Sequence, residues 1–140
     1  LDSIQAAVLN AKLPLLDQYG TARQNAARKY SKAFEGHKNI VAPTICDICD
    51  CHVFHQYTLR IIDADRDALM QHLLDNDIPC AIYYPIPLHS QKAYQDARYK
   101  EEDFPVTNQL VKEVISLPMH TELDDEQIAY ITNTVLGFFK

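Results

Sequence analysis

An apolar repeat close to 3.6 residues runs through the start of the chain and dictates how it must fold there. Ile4, Val8, Leu15 or Leu16, Tyr19, Ala22, Ala26, Tyr30 and Phe34 recur at that spacing, which puts them along one side of a helix. The pattern predicts a long helix over residues 3–35, ended by Gly36. Pro14 should kink it, because proline removes one backbone donor and crowds the carbonyl four residues back. Asp2, with Gln5 three positions on, has the form of a capping box at its start. The chain opens on that signal without a methionine, so the expectation is a piece cut from something longer.

Beyond Gly36 strand and helix patterns alternate. Ile40-Val41-Ala42 reads as a short strand before Pro43. Residues 53–62 carry the best strand pattern, with Val53, His55, Tyr57, Leu59 and Ile61 on one face and Phe54, Gln56, Thr58 and Arg60 on the other. Asp63 or Asp65 can cap a helix running to about Asp75, with Leu69, Leu73 and Leu74 inward. Cys80-Ala81-Ile82-Tyr83 reads as a strand halted by Pro85 and Pro87. Pro105 suits the first turn of a helix carrying Leu110, Val111 and Val114, and Ile115-Ser116-Leu117 as a strand follows it. Asp124 and Gln127 form another capping box, opening a last helix with Ile128, Ile131, Val135 and Phe139 on one stripe. The expected architecture is one domain over residues 1–140, of α/β (α+β) type, with a small sheet covered by helices.

Composition removes several function classes. At 47% hydrophobic residues the 140-residue chain can bury a core, and three glycines leave no room for a flexible linker. No run approaches the roughly 18 apolar residues of a membrane span, and the first residues lack a signal-peptide pattern. The net charge is −6 with no basic block, so nucleic acid is not an expected partner. Four cysteines without an export signal read as reduced thiols of a cytoplasmic protein.

Three groups of residues could carry chemistry. Cys46, Cys49, Cys51 and His52 have a spacing that can aim thiolates at one metal ion, yet a closed site usually pairs two such knuckles and Cys80 stands alone. The cluster therefore reads as a variable loop with free thiols and no metal. His55 reads as a histidine at the edge of the core, bonded to backbone. Tyr83-Tyr84-Pro85-Ile86-Pro87-Leu88-His89 is either a rigid, ligand-facing loop or a proline-rich turn whose tyrosines pack inward. No Gly-rich phosphate loop, paired-carboxylate motif or lysine in an apolar stretch completes a catalytic set. No catalytic residue is assigned on this chain.

The stretches Leu1-Asp2-Ser3-Ile4-Gln5-Ala6-Ala7, His52-Val53-Phe54-His55-Gln56-Tyr57 and Tyr83-Tyr84-Pro85-Ile86-Pro87-Leu88-His89 occur in a telling order. Tyr99-Lys100-Glu101-Glu102-Asp103-Phe104-Pro105-Val106 and Ser116-Leu117-Pro118-Met119-His120 follow them. Together they resemble the C-terminal part of the DegT/DnrJ/EryC1/StrS family of sugar aminotransferases, across essentially the whole chain. The resemblance implies the small, largely antiparallel C-terminal domain of a fold-type I pyridoxal phosphate enzyme, with residues 1–35 as the connecting helix. The Schiff-base lysine and the cofactor site would lie upstream, so none is expected on this chain alone. It implies an enzyme that moves an amino group from glutamate to a nucleotide-linked keto-sugar, acts as a homodimer and includes an N-terminal cofactor domain. His55, Tyr83, Tyr84 and His89 match positions near the sugar site or the domain junction, in binding and closure roles. The rivals are a sugar dehydratase of the same fold and a free-standing, zinc-stabilised binding domain. The cysteine insert is not part of the family pattern.

Overall fold

A computed structural model describes residues 2–44 and 51–140. The first helix, α1 (Ser3–Lys12), is closed at its start by the expected box: the Gln5 N–H donates to Asp2 Oδ1 at 2.7 Å. Pro14 interrupts it as predicted, through a 3-10 turn at Leu13–Leu15, before α2 (Leu16–Ala33) resumes. Gly36 sits beyond α2 at φ +72°, a left-handed conformation that glycine adopts without penalty. The two helices share a path but not a role. α1 has no buried residue, whereas α2 buries Ala26, Ala27 and Tyr30, with Phe34 just beyond its end.

Among the described residues the sheet has three strands in the order β1 (Ile40–Val41), β2 (Tyr57–Ile61), β3 (Val114–Leu117), all antiparallel. Tyr57, Leu59 and Ile61 alternate inward along β2, and Leu59 faces Ile115 in the register of β3. Against that apolar face lie α2, α3 (Arg66–Asp75) and α5 (Asp125–Gly137), which contribute Leu69, Leu73, Ile128, Ile131 and Val135. The small side chains of Ala26 and Ala27 let α2 come close to its neighbours, and Lys29 pairs with Asp125 at the exposed rim. Tyr30 donates its hydroxyl to the Pro118 carbonyl at 3.0 Å, while the Tyr57 hydroxyl meets Ser31 Oγ at 2.9 Å. Burial, then the neighbouring Tyr57, pushes the Tyr30 phenol well above the ordinary tyrosine range, so it stays protonated and donating. Asp65 caps α3 and the Asp124–Gln127 box caps α5, both as the sequence indicates.

Three sequence expectations are corrected. The strand at residues 53–62 begins only at Tyr57, because Phe54 adopts φ +44° and breaks the period-two alternation. Its ring turns inward and is 2% exposed, lying tilted between those of His52 and Tyr57, while Val53 and His55 are exposed. The Cys80–Tyr83 strand reduces to a single bridge between Ala81 and Ser116, since Pro79 and Pro85 bracket it and restrict further pairing. Leu74 is exposed rather than inward. No helix among the described residues is long and apolar enough to cross a membrane.

On the opposite face of the sheet, α4 (Pro105–Glu113) runs directly into β3 and carries Glu113 to Arg60. Gln109 Nε2 donates to Glu113 Oε1 at 2.8 Å and Arg60 Nε to Oε2 at 2.9 Å. The Gln109 bond first, with Arg60 adding to it, holds this carboxyl below the usual range against a smaller opposing effect of desolvation. A carboxyl whose folded pKa lies below its unfolded value stabilises the fold above the unfolded value, about pH 4.3 for Glu. That stabilisation disappears as pH falls through the folded value. Urea unfolding followed from pH 6 to pH 2.5 should therefore show an acid loss that Glu113→Gln reduces. Parallel acid profiles for the two proteins would remove Glu113 as its source.

Candidate functional site

Where β2 begins and β3 ends, the bridge between Ala81 and Ser116 seats the segment 79–83 on the side of β3 away from β2, so this segment and the residues that precede Tyr57 flank the end of β3. Its two backbone bonds, 2.8 and 3.2 Å long, hold Tyr83 at the margin of the sheet. The result is an open cavity of about 390 Å³, lined by His55, Gln56, Tyr83, Leu117 and Met119 among others. Its floor is rigid. Ser116 is buried, its hydroxyl lies 2.8 Å from that of Thr58, and Tyr57 is fully enclosed beside Gln56. His55 is exposed and makes no hydrogen bond within the described residues, so the expected backbone bond is absent. The Tyr83 hydroxyl likewise has no partner among the described residues, although its ring meets Tyr84 edge-on at 5.9 Å.

The four residues singled out in the sequence therefore do not form one cluster. His55 and Tyr83 share the cavity; Tyr84, 74% exposed, stands outside its lining. His89 belongs to a second cavity of about 490 Å³ with Gln95, Asp96, Tyr99 and Lys100. There its ring stacks on Phe104 at 4.3 Å and 17°, and its buried Nε2 has no hydrogen-bond partner among the described residues. Arg98 forks onto Asp96 through Nε and Nη2 and lies over the Tyr99 ring at 5.5 Å. Those hydrogen bonds hold the Asp96 carboxyl below its usual range.

Sequence reasoning missed Gln56, Met119 and Phe104. Gln56 was assigned to a strand face, and nothing local connects Phe104 to His89, which lies fifteen residues away. Cys80 lines the first cavity with its thiol half-buried, and burial raises its pKa, which leaves it protonated and a poor nucleophile. Cys51 is disulfide-bonded, which corrects the expectation of a free thiol there. Cys46 and Cys49 lie outside the described residues. No group of three metal-ligating side chains occurs among the described residues.

A further cavity, of about 890 Å³, runs along the helical arm and is lined by Leu9, Leu13, Leu16, Tyr19, Arg23 and Val53 among others. Its surface is mainly apolar, with Lys12, Asp17 and Arg23 among the polar residues along its length. Convergent polar groups on apolar walls mark a small-molecule site better than volume does. By that standard the cavity of His55, Gln56 and Tyr83 is the candidate site.

Residues 1–136 match the DegT/DnrJ/EryC1/StrS aminotransferase family. The pleiotropic regulatory protein of Geobacillus stearothermophilus is 37% identical over 100% of this chain and 37% of its own length. The dTDP-3-amino-3,6-dideoxy-alpha-D-galactopyranose transaminase of Aneurinibacillus thermoaerophilus is 36% identical over 96% of this chain and 36% of its own length. Among solved structures, S. venezuelae DesV in complex with a ketimine intermediate superimposes with a TM-score of 0.90 at 30% identity. That match covers 99% of this chain and 36% of DesV. The chain thus spans little more than a third of the length of the relatives it matches.

Proposed function

Because this chain belongs to the DegT/DnrJ/EryC1/StrS aminotransferase family, we propose that it supplies part of the sugar-binding wall of a nucleotide-sugar aminotransferase. The enzyme would take an amino group from glutamate, deliver it to a keto group on a nucleotide-linked sugar, and serve amino-sugar or cell-surface polysaccharide synthesis in the cytoplasm. The observation that carries this reading is the presence of His55 and Tyr83 in one cavity, both with polar atoms that bond to no described residue. A hydroxylated ligand meets donors and acceptors there without first breaking an internal bond.

The cofactor does not fit the residues of this chain. All eight lysines are solvent-exposed, so none occupies the desolvated setting that Schiff-base chemistry needs. Pyridoxal phosphate, which acts as the electron sink in amino transfer, would be held by an N-terminal domain of the same polypeptide in a homodimeric enzyme. The work of this chain is binding, orientation and exclusion of water. His55 and Tyr83 contact the sugar, Tyr84 covers its outer side, and His89, in the second cavity, meets a part of the ligand that extends beyond the first.

The test is kinetic, in the full-length polypeptide that carries this chain. Tyr83→Phe and His55→Ala should lower kcat/KM for the keto-sugar by about 1–3 kcal/mol of transition-state stabilisation each. The half-reaction with glutamate should be spared. Equal losses in both half-reactions would replace sugar contact by general closure of the site, and unchanged kinetics in both variants would return the cavity to a purely structural role.

A further inference from the structure

We infer that the carboxamide of Gln56 recognises a vicinal pair of hydroxyls on the nucleotide-sugar, an inference that rests on the reading of the cavity just given. Gln56 lines the cavity between His55 and the enclosed Tyr57, and it is half-buried. Tyr57 is fixed by its bond to Ser31 and by the ladder to Leu117, so the backbone that carries Gln56 has little freedom at its C-terminal side. Nevertheless, the Gln56 side chain makes no hydrogen bond to any described residue. A carboxamide offers two N–H donors beside a carbonyl acceptor. The Gln56 amide atoms are not among the buried, unsatisfied ones, so they stay open to the cavity and available to a ligand.

The chemistry of the lining selects the ligand. No lysine or arginine reaches this cavity, so it lacks the charge partners that a diphosphate demands. Pro79, Leu117, Pro118 and Met119 supply apolar wall, suited to the C–H face of a sugar ring. Against that wall a carboxamide can accept a hydrogen bond from one hydroxyl at Oε1 and donate from Nε2 to the adjacent one. A nucleotide-sugar carries such a pair on its hexose and, in uridine but not in thymidine, on its ribose.

The full-length holoenzyme should be titrated by calorimetry with UDP-glucose, dTDP-glucose and UDP, comparing wild type with Gln56→Leu and the isosteric Gln56→Glu. Both variants should keep the wild-type melting temperature within a few degrees. With a hexose diol, Gln56→Leu weakens UDP-glucose and dTDP-glucose by about 5- to 30-fold and leaves UDP unchanged. With a ribose diol it weakens UDP-glucose and UDP and leaves dTDP-glucose unchanged. Gln56→Glu, which keeps an acceptor but loses the donor, should also weaken the affected ligands. Equal affinity of wild type and both variants for all three ligands, with His55→Ala still weakening them, overturns the role of Gln56 alone. A wild-type enzyme that binds neither nucleotide-sugar overturns the sugar-site reading together with it.

Discussion

Phe54→Ala is expected to cost about 3–5 kcal/mol of folding stability, the usual range for emptying a buried phenylalanine site. The ring is 2% exposed and lies 4.2 Å from His52 and 6.3 Å from Tyr57, centroid to centroid. It also sits on a backbone with φ +44°, a region that costs a non-glycine residue on the order of 1–2 kcal/mol. Burial of the ring offsets that strain. Without the ring nothing does, and residues 53–56 are free to extend, carrying His55 and Gln56 away from Tyr83. Chemical unfolding of Phe54→Ala and Phe54→Gly separates the two effects. Glycine adopts the left-handed backbone freely, so it should be no less stable than alanine here despite being smaller. A loss below 1 kcal/mol in Phe54→Ala would show that the ring does not anchor this turn.

The second large effect belongs to Arg66, the first residue of α3, whose side chain is 9% exposed. Its Nη1 donates to the carbonyls of Val111 at 3.2 Å and Val114 at 2.7 Å, and its Nε to Asp67 at 2.7 Å. Those carbonyls lie where α4 gives way to β3 with no loop between them, a place where helix-end acceptors need partners from elsewhere. Arg66→Ala removes a charged donor from both at once, and about 2–4 kcal/mol is expected. Arg66→Lys should recover only part, because an ammonium lacks the planar fork that reaches two acceptors and a carboxylate together. Urea midpoints for the two variants check this; a full recovery by lysine would mean that charge alone matters at this junction.

The features legible in the sequence were those governed by neighbours along the chain. Asp2, Asp65 and Asp124 cap helices because a side-chain oxygen three residues from a free N–H needs no distant partner. Pro14 breaks the helix by its own covalent structure, and the alternation of Tyr57, Leu59 and Ile61 survives because a sheet face is buried on every second residue. The reading failed where distant residues decide. Phe54 looked outward-facing from its place in an alternating run, but the rings of His52 and Tyr57 draw it inward. His55 and Tyr83 were both candidates, yet what joins them is the bridge from Ala81 to Ser116, a pairing across 35 residues that no local pattern announces. His89 was placed with them by its position on the same loop, whereas its stack on Phe104 assigns it to a different cavity.

The absence of any buried residue in α1 makes stability unequal along the molecule. A ten-residue helix is below the roughly 12–15 residues at which isolated helices become even marginal in water. The order of α1 is therefore borrowed, partly from its cap at Asp2 and partly by propagation from α2. That propagation must pass through the tighter turn at Leu13–Leu15, where the regular ladder is interrupted. Fraying of α1 should be far cheaper than opening of α2, whose Ala26, Ala27 and Tyr30 cannot leave the core without global unfolding. Ile4, Val8, Leu9 and Leu13, all more than half exposed, form the face through which that imbalance can be altered. Any surface that covers them adds its binding free energy to the helix itself, so contact at the arm and order within the arm become a single cooperative event.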